Sequence, residues 1–393
     1  MSTPPSSRPP SLAEQRDANP PTGTAGTQQR QMFSAGARGS NTFGNPNAQG
    51  PATIPGAQRG PSRMLICGDI GGTKVLLALA EQNGGQLRWR LERRYRSADY
   101  PDLEAMFADF MRIASDAALY PSDVAGGCLA VAGPVREHGR RAQLTNLPWE
   151  IDAAALASSH GTGPIRLVND FAAAAAGIDA VDPASIVELQ TGEPEPRGTR
   201  LVIGAGTGLG VASMFWQGGA EAGYKVAPGE GGHIGFAPTN ELQAELWRHL
   251  ASDGRRVSNE HIASGPGMVA VYHFFQRRAG EAINPDIKPE EIAALAASDP
   301  NHTAARALEM FFRVYGAACG DLALALVPRG GVYIAGGIAA RILPQMQASP
   351  FLEAFNDKAP HGALTRRFPV RVVTDLELGL KGAARIACGL AQV

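Results

Sequence analysis

Residues 65–80 read LICGDIGGTKVLLALA, one apolar run broken once, in its middle, by Gly68-Asp69-Ile70-Gly71-Gly72-Thr73. Aliphatic residues on both sides of so short a break predict two strands joined as a β-hairpin. A turn alone does not call for three glycines, an acid and a hydroxyl. Consecutive backbone N–H groups in a glycine-rich turn form a concave donor array that an oligophosphate fits. Glycine is needed there where φ is positive or where a side chain would bar close approach. Thr73 adds a hydroxyl, and Asp69 a carboxylate suited to a Mg2+-bound water. Taken by itself, the stretch is accounted for equally well by a hairpin turn with a capping aspartate.

The pattern returns in TRLVIGAGTGLGVASMF (residues 199–215), again an apolar strand, a glycine-dense turn and a second apolar strand. Its GAGTGLG lacks dinucleotide-binding spacing, since Leu209 stands three residues after Gly206 and a strand-like run follows. No GxxxxGK[ST] occurs. A third glycine turn, AGG (residues 335–337), lies at a strand-to-helix junction. Two glycine hairpins and this junction predict a duplicated α/β architecture that grips a nucleotide between two lobes.

With 393 residues and 44% apolar content, the chain can build two or three cores. A net charge of −1 gives no electrostatic footprint for nucleic acid or an anionic membrane, and no apolar run is long enough to span one. Cys67, Cys128, Cys319 and Cys388 are far apart in mostly apolar surroundings. They read as core residues of a reduced, cytoplasmic compartment. Residues 1–60 hold nine prolines, eight glycines and only four of Leu, Ile, Val and Phe. A disordered tail over residues 1–62, without targeting function, is therefore expected.

Helices are expected near residues 103–118, 171–178, 241–250, 305–327 and 380–390, with Asn240 capping the third. Strands are expected at 126–133, 164–170, 330–335 and 370–373. The strand RLVND ends in Asn169-Asp170, just where α/β folds place ligands. Asp170 is either a helix N-cap or the one carboxylate that phosphoryl transfer to an alcohol needs as proton acceptor. PGEGGHIGF and VSNEHIASGPG (residues 228–236 and 257–267) bring Glu230, His233 and Glu260 beside glycine turns. Carboxylates and an imidazole facing several hydroxyls suit a sugar; a metal site or a surface loop are the alternatives.

The ordered stretches GDIGGT, TNLPW, VNDFAA, GAGTGLG, GEGGHIGFAP, ASGPG and GGVYIAGGI, from about residue 64 to the C-terminus, closely resemble the bacterial-type ATP-dependent glucokinases of the hexokinase–actin–Hsp70 superfamily. The four scattered cysteines cannot supply the zinc motif usual in ROK kinases and repressors, which favours the non-ROK branch. The resemblance implies a bilobal actin-like (ribonuclease H-like) ATPase fold. A small α/β lobe (63–180, completed by a C-terminal helical segment, 372–393) and a larger α+β lobe (181–371) would flank a deep cleft. It implies ATP contacts at Gly68, Asp69, Ile70, Gly71, Gly72, Thr73, Gly206, Thr207, Gly336 and Gly337, with Mg2+ arriving on ATP and Asp69 in its outer sphere. It implies Asp170 as catalytic base and Asn169, Asp170, Glu230, His233 and Glu260 as hexose ligands. The implied reaction is transfer of the γ-phosphoryl of ATP to the 6-hydroxyl of D-glucose in glycolysis, by a cytoplasmic homodimer. Gly235 departs from relatives that often carry an acid beside GGH. A sugar-responsive regulator of the same fold is the alternative, but residues 1–60 cannot form its helix-turn-helix. An actin-like ATPase would leave Glu230, His233 and Glu260 without a purpose.

Overall fold

The computed structural model describes residues 62–389 and Val393, apart from 84–85 and 220–221. The expected disordered tail lies outside the described residues, save Ser62. A first sheet takes β1 (Arg63–Ile70), β2 (Lys74–Asn83), β3 (Gln86–Arg96) and β4 (Val124–Val131). A small antiparallel sheet of β5 (Val135–Arg136), β6 (Arg141–Gln143) and β7 (Glu150–Asp152) precedes its fifth strand, β8 (Ile165–Asn169). A second sheet takes β9 (Ile186–Gln190), β10 (Arg200–Ala205), β11 (Leu209–Gln217), β12 (Gly223–Gly229), β13 (Gly331–Ala335) and β14 (Val370–Val373).

The orders are β3-β2-β1-β4-β8 and β12-β11-β10-β13-β14-β9. Each sheet contains an antiparallel three-stranded meander whose first strand, β1 or β10, also starts a run of two parallel neighbours, and in the second sheet β9 pairs antiparallel with β14 at the far edge. The duplication expected from the two glycine hairpins is therefore a duplication of topology. Strand β14 belongs to the second sheet, so the chain returns to the first only after Val373, not at residue 372.

Continuous apolar runs form strands here because both faces are covered. On β2, Val75, Leu77 and Leu79 pack with α1 (Leu103–Asp116), while Leu76, Ala78 and Ala80 face the other way. Helix α1 is capped by Asp102, whose carboxylate accepts from the Ala105 N–H at 2.8 Å. Beyond α2 (Ala153–His160) and α3 (Asp170–Gly177), the second sheet is covered by α4 (Glu241–Leu250), α5 (Gly265–Ala279), α6 (Pro289–Ser298) and the 24-residue α7 (Thr303–Leu326). Asn240 caps α4 as expected, accepting from the Gln243 N–H at 3.0 Å. Residues 264–267 are not the turn that SGPG suggests. Pro266 sits in the first turn of α5, where its missing N–H costs nothing, and Ser264 caps it. The remaining helices are α8 (Gly337–Arg341), α9 (Leu343–Gln347), α10 (Phe351–Asn356), α11 (Gly362–Thr365) and α12 (Leu378–Ala387).

Between the sheets lie α3 and α12, sharing one apolar cluster with Cys67, Ala78 and Cys128 of the first sheet and Val202, Ala212 and Tyr333 of the second. The alanine run of α3 is a packing surface as well as a helix former. A Cβ on Gly382 of α12 would stand 1.6 Å from the Ala173 carbonyl oxygen, and one on Gly177 would stand 2.4 Å from the Leu378 carbonyl oxygen. The helices meet main chain to main chain, closer than the usual 8–10 Å interaxial separation set by side chains. Gly382→Ala is expected to destabilise the fold by about 1–3 kcal/mol through overpacking. Gly218→Ala, where a Cβ meets nothing within 4 Å, should stay within about 0.5 kcal/mol of wild type. Denaturant titration of both variants checks this, and equal stabilities would refute the contact.

Candidate active site

The C-terminal ends of β1, β8, β10 and β13 carry Asp69, Asn169, Ala205 and Ala335, each followed by a turn or a helix start. Asn169, not Asp170, caps α3: its side-chain oxygen accepts from the N–H groups of Phe171 (3.0 Å) and Ala172 (3.1 Å). With that oxygen committed, what Asn169 can offer a ligand is its NH2, a donor. Asp170 is the first helical residue, and its Oδ1 accepts from the Phe171 N–H at 2.8 Å. Burial raises its carboxyl to about 6, the charge of Glu230 adding to the rise while backbone donors oppose it. Asp69 is raised to about 7, by burial and then by the charge of Asp170. The charge of Glu230 thus acts on Asp170 and that of Asp170 on Asp69, and the titration of the two aspartates is coupled.

Three of the five residues expected to bind hexose, Glu230, His233 and Glu260, converge. His233 Nε2 lies 3.7 Å from Glu230 Oε2, and its Nδ1 lies 3.9 Å from Glu260 Oε1. These are longer than hydrogen bonds, so one imidazole stands between two carboxylates with both open to a hydroxyl. Glu230 and His233 side chains are 86% and 59% accessible. Glu260 is more constrained, its Oε2 accepting from the Leu209 N–H at 2.8 Å. That bond ties Glu260, and with it the neighbouring His233, to the second glycine hairpin. Gly235 makes an isolated antiparallel bridge with Ser258, and a side chain there would meet only Arg256, at 3.7 Å.

The glycines divide by what lies above them. Gly68 and Ile70 are buried inside β1, paired on both sides, and a Cβ at 68 would meet Leu129 at 2.7 Å. These two therefore belong to the strand, and the turn that joins β1 to β2 is Gly71, Gly72 and Thr73. The Gly71 N–H bonds the Lys74 carbonyl at 3.0 Å, and the Ser97 N–H and hydroxyl bind the carbonyls of Thr73 and Gly71. Neither glycine of the turn has positive φ; a Cβ would stand 2.9 Å from the Lys74 oxygen or 3.1 Å from Asn146 of TNLPW. In the second hairpin, Gly204 and Gly210 make room for the Phe171 ring, at 2.9 and 2.2 Å from their virtual Cβ positions, and Gly208 for Glu260. Only Gly206 of that set has nothing within 4 Å, and Thr207 beside it is exposed. That bare stretch of backbone is what a phosphate group can approach. Gly336 has φ +88° and abuts the Ala205 oxygen, which brings the third glycine turn beside the second. Gly337 lies under the Arg341 guanidinium.

Sequence reading misses two supports. Phe171 is the plate on which the second hairpin lies. Tyr315, fully buried in α7, accepts from the Ala205 N–H at 3.2 Å and fixes the root of that hairpin. An aromatic inside an otherwise apolar helix carries no signal of either role. Among the described residues no cluster of three His, Cys, Asp or Glu is placed to hold a metal, and no helix is long and apolar enough to cross a membrane.

A model of the glucokinase family matches residues 66–389. A glucokinase of Nostoc sp. is 38% identical over 349 residues, covering 83% of this chain and 99% of its own. That of Cronobacter sakazakii is 33% identical, covering 82% and 96%. Among solved structures, a glucokinase from an Antarctic psychrotroph superposes with a TM-score of 0.69 at 29% identity, covering 83% of this chain and 98% of that one. The ROK-family glucokinase of Streptomyces griseus, in complex with glucose and AMPPNP, shares the fold at a TM-score of 0.58 and 21% identity, covering 83% and 99%. With its bilobal actin-like α/β fold and a family match over most of its length, the chain belongs to the glucokinase family.

Proposed function

We propose that this chain transfers the γ-phosphoryl group of ATP to the 6-hydroxyl of glucose, with Asp170 taking the hydroxyl proton. The observation that carries the reading is the position of Asp170. It opens α3 directly after the parallel strand β8, the charge of Glu230 acts on it, and its own charge acts on Asp69 beside the first hairpin. In phosphoryl transfer the protein positions the reactants, neutralises charge and supplies one proton acceptor. A carboxylate with its proton affinity raised to about 6 is ionised at neutral pH, yet a better base than an ordinary aspartate.

In this reading the hexose hydroxyls meet Asn169 as donor and Glu230, His233 and Glu260 as partners. Gly71, Gly72, Thr73, Gly206, Thr207, Gly336 and Gly337 approach the nucleotide. Exclusion of water from the site matters because water competes as acceptor. Asp69 and Asp170 form an uncompensated acidic pair, which fits a cation that brings most of its own ligands. Mg2+ carried on ATP, held through water to Asp69, would neutralise phosphate charge there.

Asp170→Asn is expected to lower kcat by about 10²–10⁴ with little change in glucose affinity; turnover near wild type in a coupled glucose 6-phosphate assay would remove Asp170 from the mechanism. Because the ionised form works, kcat/KM at subsaturating ATP should decline as pH falls through about 6 and reach about a tenth of its plateau one unit lower. A profile flat down to pH 5 contradicts the assignment. Glu260→Gln should raise KM for glucose, and deoxyglucoses should lose kcat/KM by up to about 10⁴ where the missing hydroxyl leaves one of these partners unpaired. Equal values across the deoxy series would rule out this sugar site.

A further inference from the structure

The strand pairing beside the first phosphate turn places two cations face to face. In the β2–β3 register Lys74 lies directly opposite Arg96, and Leu76 opposite Arg94. Like charges directly opposite one another on a sheet destabilise the pair. Arg94 is relieved by Glu377, its Nη2 standing 3.0 Å from Oε1. Neither Lys74 nor Arg96 makes an ion pair among the described residues, and both are exposed.

The face they share is the one that matters. Side chains alternate across a strand, and Leu76, Ala78 and Ala80 belong to the cluster that contains α12. Lys74 is two residues before Leu76, on that same face. On β1, Leu65 and Cys67 are in that cluster too, which puts Asp69 there, and Asp69 is paired in register with Leu76. A Cβ on Gly379, in the first turn of α12, would meet the Asp69 carboxylate at 2.7 Å. Lys74 and Arg96 therefore stand at the hairpin's end, on the side of Asp69. Ser97, next to Arg96, binds the turn itself through the carbonyls of Gly71 and Thr73.

We propose that Lys74 and Arg96 form a cationic clamp for the phosphate chain of the nucleotide, closing on it from the strand side of the Gly71–Gly72–Thr73 turn. The inference rests on the proposed kinase activity and adds to it the residues that set nucleotide affinity. Repulsion in the empty site is then relieved by the polyanion, Arg96 offering a forked donor and Lys74 a compact charge.

The test compares the full-length protein with Lys74→Ala, Arg96→Ala, the double variant and Arg96→Glu. Both KM values and calorimetric binding of ATP are measured, with thermal unfolding alongside. Each single alanine variant should raise KM and Kd for ATP about fivefold, the double variant more, with KM for glucose kept within about twofold. Wild-type ATP affinity should weaken with added salt more steeply than that of the double variant, as screening requires. Arg96→Glu should raise the melting temperature, by replacing repulsion with a Lys74–Glu pair, while weakening ATP further. A merely structural role for Arg96 would not separate stability from ATP affinity in this way. ATP affinity within about twofold of wild type in the double variant overturns the clamp, as does an equal loss of glucose affinity. If wild type shows no glucose-dependent ATP turnover, the kinase reading fails, and ATP calorimetry still decides the clamp.

Discussion

The contact on which the rest of the structure depends is the one between the main chains of α3 and α12. Both helices lie between the two sheets, and both begin at the site. Asp170 opens α3, and the first turn of α12 sits against Asp69 through Gly379. Because Gly177 and Gly382 let the helices touch through carbonyl oxygens, the spacing of the two acidic residues is fixed by backbone and not by adjustable side chains. That rigidity keeps two carboxyl groups near each other although the charge of Asp170 raises the cost of ionising Asp69. The acidic pair is a local expense, and the shared apolar cluster of α3, α12 and both sheets offsets it.

Much of this was legible in the sequence. Two apolar runs interrupted by glycine turns gave both hairpins, and Asn240 before an amphipathic stretch gave α4 with its cap. Strand β3 was not legible. Its residues, QLRWRLERRYR, alternate through Leu87, Trp89 and Leu91, but a bulge at Arg90, opposite Leu79 and Ala80, moves the apolar positions from Leu91 onward to the other face. Leu87 packs toward α12, whereas Leu91 and Tyr95 pack toward α1. A period-2 pattern cannot survive such a shift. The small sheet β5–β7 has strands of two or three residues, too short for any periodicity, and α5 was hidden by a Gly-Pro-Gly start that resembles a turn.

For the site, side-chain chemistry was easier to read than backbone. Glu260 is remote in sequence from Glu230 and His233, yet hydroxyl-binding groups beside glycines mark all three, and they do converge. The glycines are harder to read, because glycine answers to several demands with one letter. At 68 it avoids Leu129 and Leu77 inside a strand, at 208 it avoids Glu260, and only at 206 does it leave empty space. Which demand applies depends on neighbours from distant segments, and no local pattern encodes that. Tyr315 is the same case in reverse, a tertiary hydrogen bond to Ala205 made from the middle of a helix that looks uniformly apolar.

Phe171 adjoins the carboxylate at the head of α3, and its ring occupies the volume that side chains at 204 and 210 would otherwise fill. The hairpin is therefore keyed to that helix by a flat, stiff insert with few rotamers. Any tilt of the second sheet must carry the ring, and with it the neighbouring aspartate, so Asp170 and the second hairpin stay in alignment as a single moving part.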